Sequence, residues 1–441
     1  MRANRLVRTV GMLTMLSALV AVPAAAQEAK QRWDQLCQIR KDKLDLILPE
    51  TMRENGIDMW IVASREGHDD PNVAMLGGGY VGDIGYYIFT DRGGGRIERA
   101  ALGIGGASFD QCPLYDIKGR PSDLRAFVEA RAPARIGINV ANEIGTADGL
   151  SHSLHEALRA ALGPDLAARL VSAEKLVSDF RSRHSATEIA AFARAGEYSR
   201  TIAERALSNE VIRPGHTTTG DVAWWMMEEL HRQGLGNSFG LPSIYVLGPG
   251  ERGPTSGDHV IQPGDLITVD WGVNYLLAYT DMKRMAYVLK PGENAPPPGV
   301  QRAFDKAMEI RRTILDAIRP GVTAGEALAA VNRRVAQTPG LALGRYDDPS
   351  PDPKYSDVVI GSHSVGDWGH GSGPSMADFN PLRMTYALRS GNFLSIELFL
   401  YTPIPEWGGR KIKIPLEDNG VVTARGFEWT APPASRILLV K

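Results

Sequence analysis

Apolar positions recur at helical spacing from residue 32 to about residue 54, where Leu36, Ile39, Leu44, Ile47 and Leu48 form the apolar set. That period predicts one amphipathic helix, ended by Asn55-Gly56. Met59-Trp60-Ile61-Val62-Ala63 is then a continuous apolar run of strand length, as a strand buried on both faces requires. Strand-like pieces follow at 86–89 and 100–104, and the glycines at 93–95 between them predict a hairpin turn. They do not read as a phosphate loop, because no GxGxxG follows a strand and opens a helix. Residues 135–140 predict another strand and 150–162 another helix. This alternation predicts an α/β domain over 27–178.

The pattern changes beyond about residue 178. Ser185-Ala186-Thr187-Glu188 is a capping box that opens a long helix to about residue 207. Further helices are expected at 219–231, 300–318 and 324–336, the last two parted by Pro320-Gly321. Strands are expected from Leu266, at 282–289, at 392–400 and at 411–422. Helices in the middle with long strands around them predict an α+β domain with an antiparallel sheet over 179–441.

The N-terminus follows a different logic. Arg2, Arg5 and Arg8 precede an apolar run over 10–22, then Pro23 and Ala24-Ala25-Ala26. This is the order of a secretory signal over 1–26, with an apolar run too short to span a bilayer comfortably. Its arginines are unpaired, which favours the Sec route over the twin-arginine one. The expectation is a periplasmic or secreted protein that starts near Gln27 and has no membrane attachment once the signal is removed. Two cysteines, Cys37 and Cys112, either form one disulfide, worth roughly 4 kcal/mol in the entropic account, or remain buried thiols. Composition adds little: 43% hydrophobic, 23% charged and a net charge of −2 are ordinary for a globular chain, and they give no reason to expect a nucleic-acid partner.

The chemistry lies in the second region. Asp270 ends the apolar run Leu266-Ile267-Thr268-Val269, and Asp281 follows after a short return segment. Two carboxylates facing each other across such a hairpin repel unless a cation sits between them. Downstream, His363 and His370 lie in a glycine-rich stretch, Glu397 lies between Ile396 and Leu398, and Glu417 follows Leu416. The flanking apolar residues argue that Glu397 is buried. Asp270, Asp281, His363, Glu397 and Glu417 make an oxygen-rich set with one imidazole, suited to a pair of first-row divalent ions such as manganese, cobalt or zinc.

This ordered set, with His363-x6-His370, resembles the pita-bread (M24-type) metallopeptidases. The spacing and the preceding α/β domain make it most similar to Xaa-Pro aminopeptidase (aminopeptidase P) and prolidase. Arg-x-x-His-Ser-Ala-Thr-Glu-Ile at 181–189, the text around Gln262-Pro263-Gly264-Asp265 and Leu416-Glu417-Asp418 also match. The resemblance runs from about residue 40 to 441 and is strongest from about 180. It implies a pita-bread catalytic domain, a smaller creatinase-like N-terminal domain, a small peptide substrate and a homodimer. It implies that Asp270 chelates one metal, Asp281 and Glu417 bridge two, and His363 and Glu397 bind the other. Glu397 would accept a proton from a metal-bridging hydroxide or water that attacks the scissile carbonyl, and His370 would stabilise the carbonyl oxygen.

Three departures fall around that set. Gly253 stands where the family carries a further histidine, with His259 nearby but out of register; Gly371 replaces an acid; Pro415 replaces an arginine. They leave open a non-peptidase reaction on the same fold, such as organophosphate hydrolysis or lyase chemistry, and a substrate-binding protein without catalysis. Nucleophilic serine chemistry is disfavoured: Ser362-His363-Ser364-Val365-Gly366 lacks the first glycine of GxSxG, and Ser172-Ala173-Glu174-Lys175 has no SDN or KTG companion. Trp271 and Trp368, beside the proposed ligands, are expected to wall a substrate pocket. His68-Asp69-Asp70 reads as a polar loop rather than a second metal cluster.

Overall fold

The computed structural model describes residues 24–248, 252–254, 257–366 and 369–441. Residues 1–23 of the expected 1–26 signal, and Trp368, therefore lie outside the described residues, while Ala24-Ala25-Ala26 open the first helix. The first helix, Ala24–Asp42, passes through a wider π-helical stretch, Lys43–Ile47, into Leu48–Glu54. Asn55 caps it, and Gly56 takes φ +62°, a left-handed conformation open to a residue without a Cβ.

A six-stranded sheet follows, in the order Ile117–Gly119, Ile97–Gly105, Tyr80–Asp91, Met59–Ser64, Ile136–Ile138, Leu170–Ser172. Tyr80–Asp91 runs antiparallel to both neighbours, and the other pairings are parallel. The unbroken apolar run at Met59–Ser64 is explained by its two faces. Trp60 and Val62 pack on one side with Tyr87 and Phe89, while Met59, Ile61 and Ala63 pack on the other with Leu154 and Leu158. Cys37 and Cys112 are joined in a disulfide that ties the first helix to this domain.

The second half holds two larger sheets. One has five strands, in the order Leu438–Val440, Met282–Val288, Leu266–Trp271, Ser243–Val246, Arg252–Pro254. The other is built on the long hairpin Phe393–Ile404 and Arg410–Thr423, flanked by Ser356–Ile360 and Gly426–Trp429. The pairings are antiparallel except at Leu438–Val440 and Leu341–Leu343. Helices Pro298–Ala317 and Ala324–Gln337 bury one face of the long hairpin. Leu394, Ile396, Leu398 and Leu400 pack there with Phe304, Ile310 and Ile314. Successive strand side chains point to opposite faces, so Ser395, Glu397 and Glu417 turn the other way. The five-stranded sheet repeats the arrangement: Ile267, Val269 and Trp271 pack with Val222 and Met226 of Thr219–Arg232, which turns Asp270 to the opposite face. The two polar faces meet, and the site forms between them.

Behind this junction, Arg284 and Arg311 both donate to Asp418, at 2.7 and 3.0 Å, so three buried charges satisfy one another. No helix among the described residues is long and apolar enough to cross a membrane.

Candidate metal centre

Backbone register fixes most of the centre. Glu397 stands directly opposite Glu417 on the long hairpin, and the His363–Ser364 strand pairs beside them, with His363 opposite Ser395. Asp270 is opposite Lys283 rather than Asp281. Asp281 sits just before the Met282–Val288 strand and is clamped there by Asn419. The Asn419 side-chain carbonyl accepts from the Asp281 N–H at 2.9 Å, and its amide donates to the Asp281 carbonyl at 2.7 Å. Ser395 Oγ donates to Glu417 Oε1 at 2.7 Å.

All five expected ligands converge. Atoms of Asp281, His363 and His370 lie within 4.8 Å of one another, as do those of His363, Glu397 and Glu417, and those of Asp270, Asp281 and Glu417. Glu397, Glu417, Asp281 and His363 are buried, as the apolar neighbours of Glu397 predict. Glycine lets the backbone come close to the acids: a Cβ on Gly361 would collide with the Glu397 carboxylate, and one on Gly369 would sit 2.8 Å from Asp281 Oδ2.

Sequence reasoning overlooked one member. Lys283 Nζ donates to Glu397 Oε1 at 2.7 Å and to Glu417 Oε2, and it lies 3.1 Å from Asp270 Oδ2. Burial disfavours its charge, but Asp270, Glu397 and Glu417 outweigh that and raise its pKa well above the ordinary lysine value, so it stays protonated. A signal for it existed. Lys283 is two residues beyond Asp281 and one step into a strand, so period two places it on the same face.

The carboxyls divide accordingly. Burial and Glu417 push Glu397 up to about 7 against the pull of Lys283 and His363. Burial also penalises Glu417, but Lys283 and His363 hold it well below the usual carboxylate range. Burial, Glu417 and Asp270 push Asp281 up strongly.

The donors fit a divalent ion on one side of the centre. His363 Nδ1 lies 2.9 Å from the Ser364 carbonyl, which selects the tautomer with the proton there and leaves the Nε2 lone pair directed at the acids. Among the described residues, His363 Nε2 and Asp281 Oδ1 have no hydrogen-bond partner although both are buried. Such orphaned acceptors are what a cation satisfies. The side bounded by Asp270, Glu397 and Glu417 already holds the Lys283 ammonium.

The centre floors a cavity of about 850 Å³. Phe239, Tyr346 and Phe379 give it apolar walls, and Arg383 and His370 stand beside them. His370 is largely exposed, its Nε2 3.8 Å from Asp281 Oδ2 and its ring 4.5 Å from that of His363. Trp271 does not line the cavity. It is one residue past Asp270, so strand parity turns it into the core, where it is 1% exposed.

The altered positions have local explanations. At Gly371 a Cβ would press on the Ser364 and Val365 backbone at 3.1 Å, and the Gly371 carbonyl accepts from Arg383. Pro415 lies opposite Phe399, while Lys413 is engaged with Asp347 at 2.8 Å. His259 is engaged locally, its Nε2 2.8 Å from Asp265 Oδ2. Asp70 is buried, accepting from Asn72 and Asn139, and is a structural carboxylate.

The profile of metallopeptidase family M24 matches residues 190–424, just over half of the 441 residues. The chain belongs to this family. Over 174 residues the M24 protein described here is 28% identical to the Xaa-Pro dipeptidase of Pyrococcus furiosus, covering 39% of this chain and 41% of that one. The match thus spans about two-fifths of that relative's length. Solved structures agree on the pita-bread fold over nearly the whole chain. The X-Pro aminopeptidase of Thermotoga maritima superposes with a TM-score of 0.64 at 17% identity, covering 89% of this chain and 100% of that one. Zinc-substituted aminopeptidase P of E. coli gives 0.60 at 18% identity, covering 90% and 94%.

Proposed function

We propose that the protein is an exported, metal-dependent exopeptidase of the Xaa-Pro aminopeptidase type. The observation that carries this reading is the convergence of Asp281, His363 and Glu397 at the floor of an open cavity beside the fully buried Glu417, with His363 Nε2 and Asp281 Oδ1 left for a cation. Asp281, His363 and Glu417 would hold a divalent ion, and the oxygen-rich donor set with one imidazole suits manganese, cobalt or zinc. When bound, such an ion polarises a carbonyl and makes water a nucleophile near neutral pH.

The remaining work falls to the chain's own groups. Glu397, pushed up to about 7, is poised to take a proton from the attacking water and return it to the leaving amine. His370, at the cavity wall, is placed to donate an N–H to the carbonyl oxygen as charge builds there. Phe239, Tyr346 and Phe379 offer flat apolar walls to a pyrrolidine ring, and Arg383 offers positive charge to a short peptide's carboxylate. The Cys37–Cys112 bond and the signal-like N-terminus support export to an oxidising compartment. A homodimer rests on the family resemblance.

A second reading, a non-peptidase reaction on the same fold, is favoured by Lys283 among the acids together with Gly371 and Pro415. A panel of Xaa-Pro peptides, Gly-X dipeptides and phosphotriesters, with and without chelator, separates the two. The proposal expects chelator-sensitive release of the residue before proline; turnover of phosphotriesters alone would replace it.

A further inference from the structure

Lys283 is the group in the centre that neither the five-ligand pattern nor the proposed chemistry uses. Its ammonium has three N–H bonds and three carboxylate neighbours, Asp270, Glu397 and Glu417, and its side chain is 8% exposed. The strand register that sets it opposite Asp270 makes this placement a property of the backbone. An ion bonded to the same oxygens at about 2.0–2.2 Å would need the space that Nζ fills.

Charge points the same way. Four carboxylates converge here, Asp270, Asp281, Glu397 and Glu417. The ammonium plus one divalent ion leaves a single net negative charge. With all four ionised, the ammonium plus two divalent ions brings a net positive charge into the buried site before any bound hydroxide is counted. The imidazole side is marked by His363 Nε2, which is buried without a hydrogen-bond partner among the described residues and lies 3.5 Å from Glu417 Oε1 and 3.9 Å from Asp281 Oδ2.

We propose that Lys283 is a resident cation standing in for one of the two metal ions, so that the centre takes a single divalent ion, held by Asp281, His363 and Glu417. This revises the two-ion expectation. It rests on the metal-dependent reading of the centre and not on which bond is cleaved, so its test involves no substrate.

The test counts ions. The full-length mature protein and Lys283→Ala are loaded with excess Mn2+, freed of unbound metal and assayed for manganese per chain by elemental analysis. Electron paramagnetic resonance distinguishes isolated from spin-coupled Mn2+. The expected result is one ion per chain with an isolated-ion spectrum in the wild type, and two coupled ions in Lys283→Ala. Two ions in the wild type overturn the inference while leaving the metal-dependent reading intact. One ion in both proteins overturns the role given to Lys283. No ion in the wild type overturns the inference and the metal-dependent reading together. If Lys283→Ala does not fold, the wild-type count alone still decides between one ion and two.

Discussion

Asp270 and Lys283 face each other across two antiparallel strands, carboxylate against ammonium at 3.1 Å, inside a ring of further acids. Removing one partner from a buried ion network leaves charge that nothing offsets, a loss of about 3–5 kcal/mol. Lys283→Ala should therefore destabilise the metal-free protein by about that amount, and Mn2+ should restore much of it, because the ion neutralises the same acids. Urea unfolding in EDTA and in Mn2+ measures both. Equal stability of variant and wild type in EDTA would show that the ammonium is not holding the acids together.

Asn419 grips the Asp281 backbone through both its amide and its carbonyl. Asn419→Ala leaves the buried Asp281 N–H unpaired, costing about 1–3 kcal/mol, and leaves its carbonyl only the longer contact from Ser395 Oγ at 3.4 Å. Because the clamp orients a proposed metal ligand, metal affinity should also fall by about 10–100-fold. Calorimetric titration with Mn2+ reads the affinity, and an unchanged value would contradict the clamp.

Glu188 carries a pH prediction. Burial pushes its carboxyl up, but Lys43 at 2.9 Å, His184 and the Ser185 N–H outweigh that and hold it at about 2 against the usual 4.5. The folded-state value is depressed, so the stabilisation is full above about pH 4.5 and is lost as pH falls through 2. At order of magnitude it is worth about 3 kcal/mol. Glu188→Gln should flatten the difference in unfolding midpoint between pH 5 and pH 2.5, roughly the window in which this carboxyl changes linkage. An unchanged acid limb would remove Glu188 from the account.

His370 reaches toward the acids from an exposed wall and is not enclosed by them. As an oxyanion donor, its loss in His370→Ala should lower kcat by roughly 10²-fold while metal content stays the same. Loss of the metal instead would make His370 a ligand.

Much of this was legible in the chain because short-range rules govern it. The capping box at Ser185–Glu188 forms as read, and the helices at Thr219–Arg232, Pro298–Ala317 and Ala324–Gln337 fall within a few residues of their expected places. The convergence of Asp270, Asp281, His363, Glu397 and Glu417 followed from residue type and order. Short strands were missed, Ser243–Val246 and Ser356–Ile360 among them, because the few residues in each carry too little periodicity to stand out. Trp271 and Lys283 depend on the same rule in opposite directions. Strand parity, not nearness in sequence to a ligand, decides both: it sends Trp271, one residue past Asp270, into the core and brings Lys283, two residues past Asp281, to the acids.

If the cluster around Asp281 and His363 is a metal-dependent hydrolytic centre, turnover must follow the metal. Hydrolysis of an Xaa-Pro peptide by wild-type protein and by His363→Ala, each stripped with EDTA and then given Mn2+, tests it most directly. Stripping should abolish wild-type turnover, Mn2+ should restore it, and His363→Ala should remain inactive under both conditions. Undiminished turnover by the stripped wild-type protein, with elemental analysis showing no metal, would contradict it.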